Sequence, residues 1–138
     1  MKVTEAAIEN ANLALRTAVL INGGAAISVL AFAGALASQG KFAVLTQVAS
    51  SLLWFALGAV AATIAMMFAY ATNYCIAERS WSFDRRPEHP YIFPTERWWA
   101  WHRAANAFQL LAALGGLASV GLFVYGIIAV KRAIRHLI

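Results

Sequence analysis

Few side chains in this sequence are equipped for chemistry, and most of them are uncharged amides set inside long apolar runs. Asn22, Asn73, Asn106 and Gln109 are the main polar residues there, and Arg16, Tyr74, His102 and Arg103 stand at the edges. A polar group within a bilayer is costly to bury, so such a residue is read for function first. Arg16, Asn22, Asn73, His102, Asn106 and Gln109 form the candidate cluster. Amides in that setting can clamp helices together, at about 0.6 kcal/mol per hydrogen bond. They can equally hold a lipid headgroup or a small polar ligand, and both readings stay open at the level of sequence.

Catalysis finds little footing. The histidines are His89, His102 and His136, each in or beside a polar segment. Haem between helices wants facing axial ligands within the bundle, and the first two apolar runs contain no histidine. Zinc wants three or four ligands close together; Asp84, Glu88 and His89 are the nearest approach to that. No paired intramembrane acids suggest a proton relay, and no glycine-rich loop leads into a helix to cradle phosphate. Cys75 stands alone, cannot form an internal disulfide, and reads as a small apolar helix residue. Met66 and Met67 read as lipid- or core-facing rather than as a cofactor box. The expectation is a protein that is not an enzyme and needs no cofactor or metal.

The elements that carry these residues follow from composition. Of 138 residues, 62% are apolar and 12% charged, against about 25% charge in a soluble domain. Uncharged stretches of 24, 36 and 27 residues lie at 17–40, 42–77 and 104–130. A membrane crossing needs about 20 residues, so each stretch fits one helix, and the middle one is too short for two with a turn. Continuous apolar runs favour helices over barrel strands, which would alternate. The predicted architecture is all-α: one transmembrane domain over 1–138, an up-down-up bundle with helices near 5–37, 46–73 and 96–130. Thr4 is the expected cap of the first helix, whose acidic start (Glu5, Glu9) argues against a cleaved signal peptide. Ser38-Gln39-Gly40-Lys41 reads as a short turn.

Residues 78–95 read as an interfacial loop. They hold Pro87, Pro90 and Pro94, and Trp81, Phe83, Tyr91, Phe93, Trp98, Trp99 and Trp101 crowd this region. Tryptophan and tyrosine favour the headgroup zone. Thr95, ahead of Glu96, is the expected cap of the third helix.

Membrane helices associate where small residues let backbones approach. Stripes at a period near 3.5 residues run along all three: Thr17, Gly24, Ser28, Ala31 and Ala35; Gly58, Ala62, Ala65, Ala69 and Thr72; Ala105, Ala112, Gly116, Ser119 and Gly126. These are the expected packing faces, and such a period implies a left-handed bundle. Ala33, Gly34, Ala56, Ala59, Gly115 and Gly121 lie off them.

The net charge of +5 comes from residues at the ends of the apolar runs. Anionic lipid headgroups account for that placement better than nucleic acid, which would want a basic face on a soluble module. Counting Lys and Arg places the N-terminus and the 78–95 loop in the cytoplasm, although Lys131, Arg132 and Arg135 pull the other way.

The stretch Leu15-Arg16-Thr17-Ala18-Val19-Leu20-Ile21-Asn22-Gly23-Gly24-Ala25-Ala26 resembles the first helix of a group of uncharacterised small bacterial inner-membrane proteins. The likeness extends to Trp54-Phe55-Ala56-Leu57-Gly58, Ala69-Tyr70-Ala71-Thr72-Asn73-Tyr74 and Trp98-Trp99. It implies a bacterial inner-membrane location and one domain; it carries no activity.

The expected function is therefore assembly, as an accessory subunit of a membrane complex or as a homo-oligomer. One alternative is a pore lined by Ser28, Ser50, Ser51, Thr63 and Ser119, against which no continuous polar stripe runs along any helix. The other is a lipid- or small-ligand-binding protein built on the amide cluster.

Overall fold

The computed structural model describes residues 2–85, 87–89 and 92–135. Among these residues the chain forms α1 (Lys2–Ser38), α2 (Phe42–Trp81), a hairpin of β1 (Phe83–Arg85) and β2 (Ile92–Pro94), and α3 (Glu96–Arg135). Within them, Glu9–Ser38, Leu45–Trp81 and Glu96–Arg135 are each long and apolar enough to cross a membrane. Pro90, Tyr91 and His136, named above, lie outside the described residues.

The helices outrun their expected ends. α1 is already helical at Lys2, so Thr4 is inside it rather than its cap. α2 continues past Asn73 to Trp81. Nothing between 74 and 81 breaks a helix, and the first proline is Pro87. The segment expected as a loop from residue 78 is thus partly helix and partly strand. Phe83 pairs with Pro94, Asp84 with Phe93 and Arg85 with Ile92.

The turns have identifiable chemistry. Gly40 sits at φ +70°, Gly40 N–H donates to Ala37 O at 3.0 Å, and Lys41 N–H donates to Leu36 O at 3.1 Å. This is the Schellman closure, in which the left-handed residue is nearly always glycine because a Cβ is strained there. At the other connection, Trp98 N–H donates to Thr95 Oγ1 at 3.3 Å, capping α3. Thr95 in turn donates from Oγ1 to Ser82 O at 3.0 Å, which ties the root of the hairpin to the end of α2.

α2 is the central helix. Its buried or half-buried residues run Val48, Ser51, Phe55, Gly58, Ala62, Ala65, Ala69, Thr72 and Cys75, spaced three and four apart along nearly the whole helix. α3 answers with Ala105, Ala112, Ser119, Gly126 and Ala133, one per heptad, buried except for the half-buried Ala112. Ring contacts step along the pair in opposite chain directions: Tyr74 with Trp101, Phe68 with Phe108, Phe55 with Phe123 and Trp54 with Tyr125. The 3.5-residue period on both partners keeps one seam in contact over many turns.

On α1 the packing face differs from the expected one. Thr17, Gly24, Ser28, Ala31 and Ala35 are all exposed. The buried residues are Asn22, Val29, Ala33 and Leu36, and the last three pack with Val48 and Phe55 of α2. The two faces lie about 140° apart around the helix at 3.6 residues per turn. Both have spacings of three, four or seven, so periodicity cannot choose between them. The tight turn at Gly40 sets the phase, because it places Leu36 in one cluster with Val48.

Gly115 and Gly116 divide the contacts of α3. A Cβ on Gly115 would stand 2.9 Å from Ala65 Cβ on α2, whereas one on Gly116 would meet Leu15 of α1 at 3.3 Å. Gly115, set aside from the stripes above, is therefore a contact residue.

Candidate functional site

The six polar residues of the candidate cluster, expected at similar depth, do not come together: Asn22 stands in one place, His102 and Asn106 in another. Asn22 is 1% exposed and sits between α2 and α3. Its Nδ2 donates to Ala18 O at 2.9 Å, one turn back on its own helix, and to Ser119 Oγ at 3.1 Å on α3. On the other side the amide lies against Gly58: a Cβ there would stand 2.8 Å from Asn22 Cγ. Two acceptors on the nitrogen fix which way the amide points. Among the described residues Asn22 Oδ1 has no hydrogen-bond donor. Gly58 and Ser119 lie within two residues of the midpoints of their uncharged stretches, 42–77 and 104–130.

The second group stands near the hairpin. Arg79 of α2 contacts His102 Nδ1 of α3 through Nη1 at 2.8 Å, and its guanidinium lies 5.5 Å from the centre of the Trp98 ring. Trp98 and His102 stack, with ring centres 5.2 Å apart and planes at 12°. Asn106 Nδ2 lies 3.4 Å from His102 Nε2. Arginine can only donate, so Nδ1 must accept. A neutral His102 then carries its proton on Nε2, which is satisfied when Asn106 turns its amide oxygen to the ring.

Asn106 and Ser119 are 13 residues apart on one helix, about 20 Å at 1.5 Å per residue. The two groups therefore cannot act as one clamp. The remaining candidates join neither: Arg16 and Gln109 are exposed, and Asn73 is half-buried on α2. Similar depth was expected because the start of the first helix, the end of the second and the start of the third share one side of an up-down-up bundle. α2 and α3 instead run on toward the hairpin, and α1 meets α3 near Leu15–Gly116 and Asn22–Ser119.

Arg79 and Trp98 were not among the candidates, Arg79 because it was counted only as a helix-end charge. The signal was available. The chain turns back between 81 and 96, so Arg79 and His102 face each other across that turn.

The hydroxyls considered for a pore are turned inward on their own helices. Ser28 donates to Gly24 O, Ser50 to Gln47 O, Ser51 to Val48 O and Thr63 to Ala59 O, while Ser51 and Ser119 are fully buried within one chain. Among the described residues no three His, Cys, Asp or Glu side chains gather, so Asp84, Glu88 and His89 do not make a metal centre. An open cleft of about 440 Å³ at the hairpin root is lined by Asp84, Glu96 and Arg97, two acids against one base.

One consequence of the Asn22 geometry is modest and measurable. Ser119→Ala removes an interhelical bond and leaves Ala18 O in place for Nδ2. Reversible unfolding in mixed micelles should show a loss of about 0.6 kcal/mol, and no more than about 1.7.

Comparison of the chain with protein-family models, with curated proteins and with solved structures returns no match, so what the chain does is argued from its own geometry.

Proposed function

We infer that this chain is a small, non-catalytic membrane protein that works by assembly, as a homo-oligomer or as an accessory subunit of a larger membrane complex. The observation that carries this reading is the unused face of α1. Gly24, Ser28 and Ala31, with Thr17 and Ala35, are exposed, and a Cβ on Gly24 would meet nothing within 4 Å. The serine and threonine on this face bond back to their own helix, Ser28 to Gly24 O and Thr17 to Leu13 O. The face is therefore smooth and needs no water, which suits close approach of another helix within lipid.

In this reading the helices cross up, down and up, in a bacterial inner membrane. The N-terminus and hairpin share one side, which holds seven of the eleven Lys and Arg residues. Their number favours the cytoplasm for that side, with anionic headgroups as further partners.

Mass measurement in mild detergent tests the assembly. Wild type should run as an oligomer or carry a partner from native membranes. Gly24→Leu combined with Ala31→Leu should abolish that state without lowering the melting temperature of the protomer, because both positions are exposed within it. A wild-type monomer with no partner overturns the reading.

A further inference from the structure

Arg79 is a half-buried cation that pairs with no carboxylate among the described residues. Among the described residues its side chain has one polar contact, to His102 Nδ1, and lies against the face of Trp98. A guanidinium has five N–H donors in a rigid fork, and one contact to Nδ1 leaves the rest of that fork unused. A partly buried charge without a counter-ion is unfavourable, so the arrangement is completed by an anion that accepts from two nitrogens at once. Phosphate oxygens have that geometry.

Depth says where the phosphate comes from. His102 lies 15 residues from the midpoint of the uncharged stretch 104–130, about 22 Å along the helix. A bilayer with its headgroups is 40–45 Å thick, so its phosphates lie about 20 Å from the centre. Arg79 is farther out on α2, but helical side chains lean toward the N-terminus of their own helix, which for α2 is toward the membrane. Exposed Tyr74 and Trp99 flank the level, as interfacial aromatics do. The neighbouring Asn106 is exposed, which leaves the cluster open on its membrane side.

We propose that Arg79, oriented by His102 and Trp98 and flanked by Asn106, binds the phosphate of an anionic phospholipid. His102 holds one edge of the guanidinium by accepting from Nη1, and the stacked Trp98 ring keeps the imidazole from turning away. The inference rests on the membrane reading above but not on assembly.

The test uses the full chain in detergent, titrated with phosphatidylglycerol, phosphatidylcholine or inorganic phosphate, and reads native-mass adducts and melting temperature. Phosphatidylglycerol should bind and stabilise well ahead of phosphatidylcholine. Arg79→Gln should weaken phosphatidylglycerol binding about tenfold, the size of a lost charge-assisted bond. Arg79→Lys keeps the charge without the fork and should fall between, which covers the case in which Arg79→Gln misfolds. Arg103→Gln, an exposed arginine on the adjacent position, should change binding less than twofold. Equal binding of the two lipids, or equal losses from Arg79→Gln and Arg103→Gln, overturns the site. Inorganic phosphate competing at the concentration of the lipid overturns the lipid as its source. A monomer that still selects phosphatidylglycerol removes assembly alone, and an oligomer that does not select removes this site alone.

Discussion

Gly58→Ala should unseat α1 from α2. The added methyl would stand 2.8 Å from Asn22 Cγ and 3.2 Å from Nδ2, and the amide has nowhere to go. Its nitrogen is held by Ala18 O and Ser119 Oγ, and Ser119 is itself fully buried. Either the hydrogen bond breaks or the helices separate. Overpacking of a filled core costs about 1–3 kcal/mol, and losing the bond adds about 0.6 kcal/mol, so the total should approach the upper end. Gly58→Leu should prevent native packing altogether. Asn22→Ala in the Gly58→Ala background should recover most of the loss, because it removes the atoms that the methyl meets. Contacting residues typically couple by about 0.5–3 kcal/mol, and reversible unfolding of the four proteins measures that coupling. Additive losses would place the clash elsewhere.

Phe55 carries the second large effect. It is 2% exposed, packs among Val29, Ala33, Leu36, Val48 and Ala133, and meets Phe123 edge-on with ring centres 5.7 Å apart. Its ring rests on Gly126, where a Cβ would stand 2.7 Å away. Phe→Ala in a soluble core costs about 3–5 kcal/mol. Lipid is as apolar as the protein interior, so part of the transfer contribution is absent here and the loss should be about 3 kcal/mol. Gly126→Ala should cost about 1–3 kcal/mol by pressing on the ring. Phe55→Leu should relieve Gly126→Ala, because its smaller side chain vacates the space that the new methyl needs. Melting in detergent checks all three, and a Gly126→Ala protein as stable as wild type would show that the ring moves freely.

These two sites explain what could be read beforehand and what could not. The three helices were legible because charges fall only at the ends of apolar runs, as Arg16, Lys41, Arg103 and Lys131 show. Small-residue faces on α2 and α3 were legible because Gly58, Ala62, Ala65 and Ala69 repeat at the same period as Ala112, Ser119 and Gly126. The working face of α1 was not. Two stripes of equal period compete there, and the choice depends on the phase imposed by Gly40 and on Asn22 finding Ser119. Both are facts about how separate helices meet.

The polar cluster shows the same limit. Asn22 was singled out because an amide in an apolar run must find a partner. Its partner, Ser119, was read as a packing residue and a pore-lining hydroxyl instead. Helix ends were less legible than helix interiors. Glu78-Arg79-Ser80-Trp81 looked like the start of a polar loop, whereas charged residues extend a helix readily once its apolar run ends. That extension carries Arg79 to the level of His102 and separates the second polar group from Asn22.

The membrane crossing itself is open to one direct measurement. Cys75 is the only cysteine and is buried, so Cys75→Ala gives a clean background for single cysteines. Glu9, Gln39, Glu88 and Arg135 are exposed, and among them they mark both connections and both outer helices. Each is replaced by cysteine and labelled with an impermeant maleimide from outside sealed vesicles of one orientation. Three crossings predict that positions 9 and 88 label together from one side, and 39 and 135 only from the other. Labelling of 39 and 88 from the same side would contradict the account, because α2 would then not cross the bilayer.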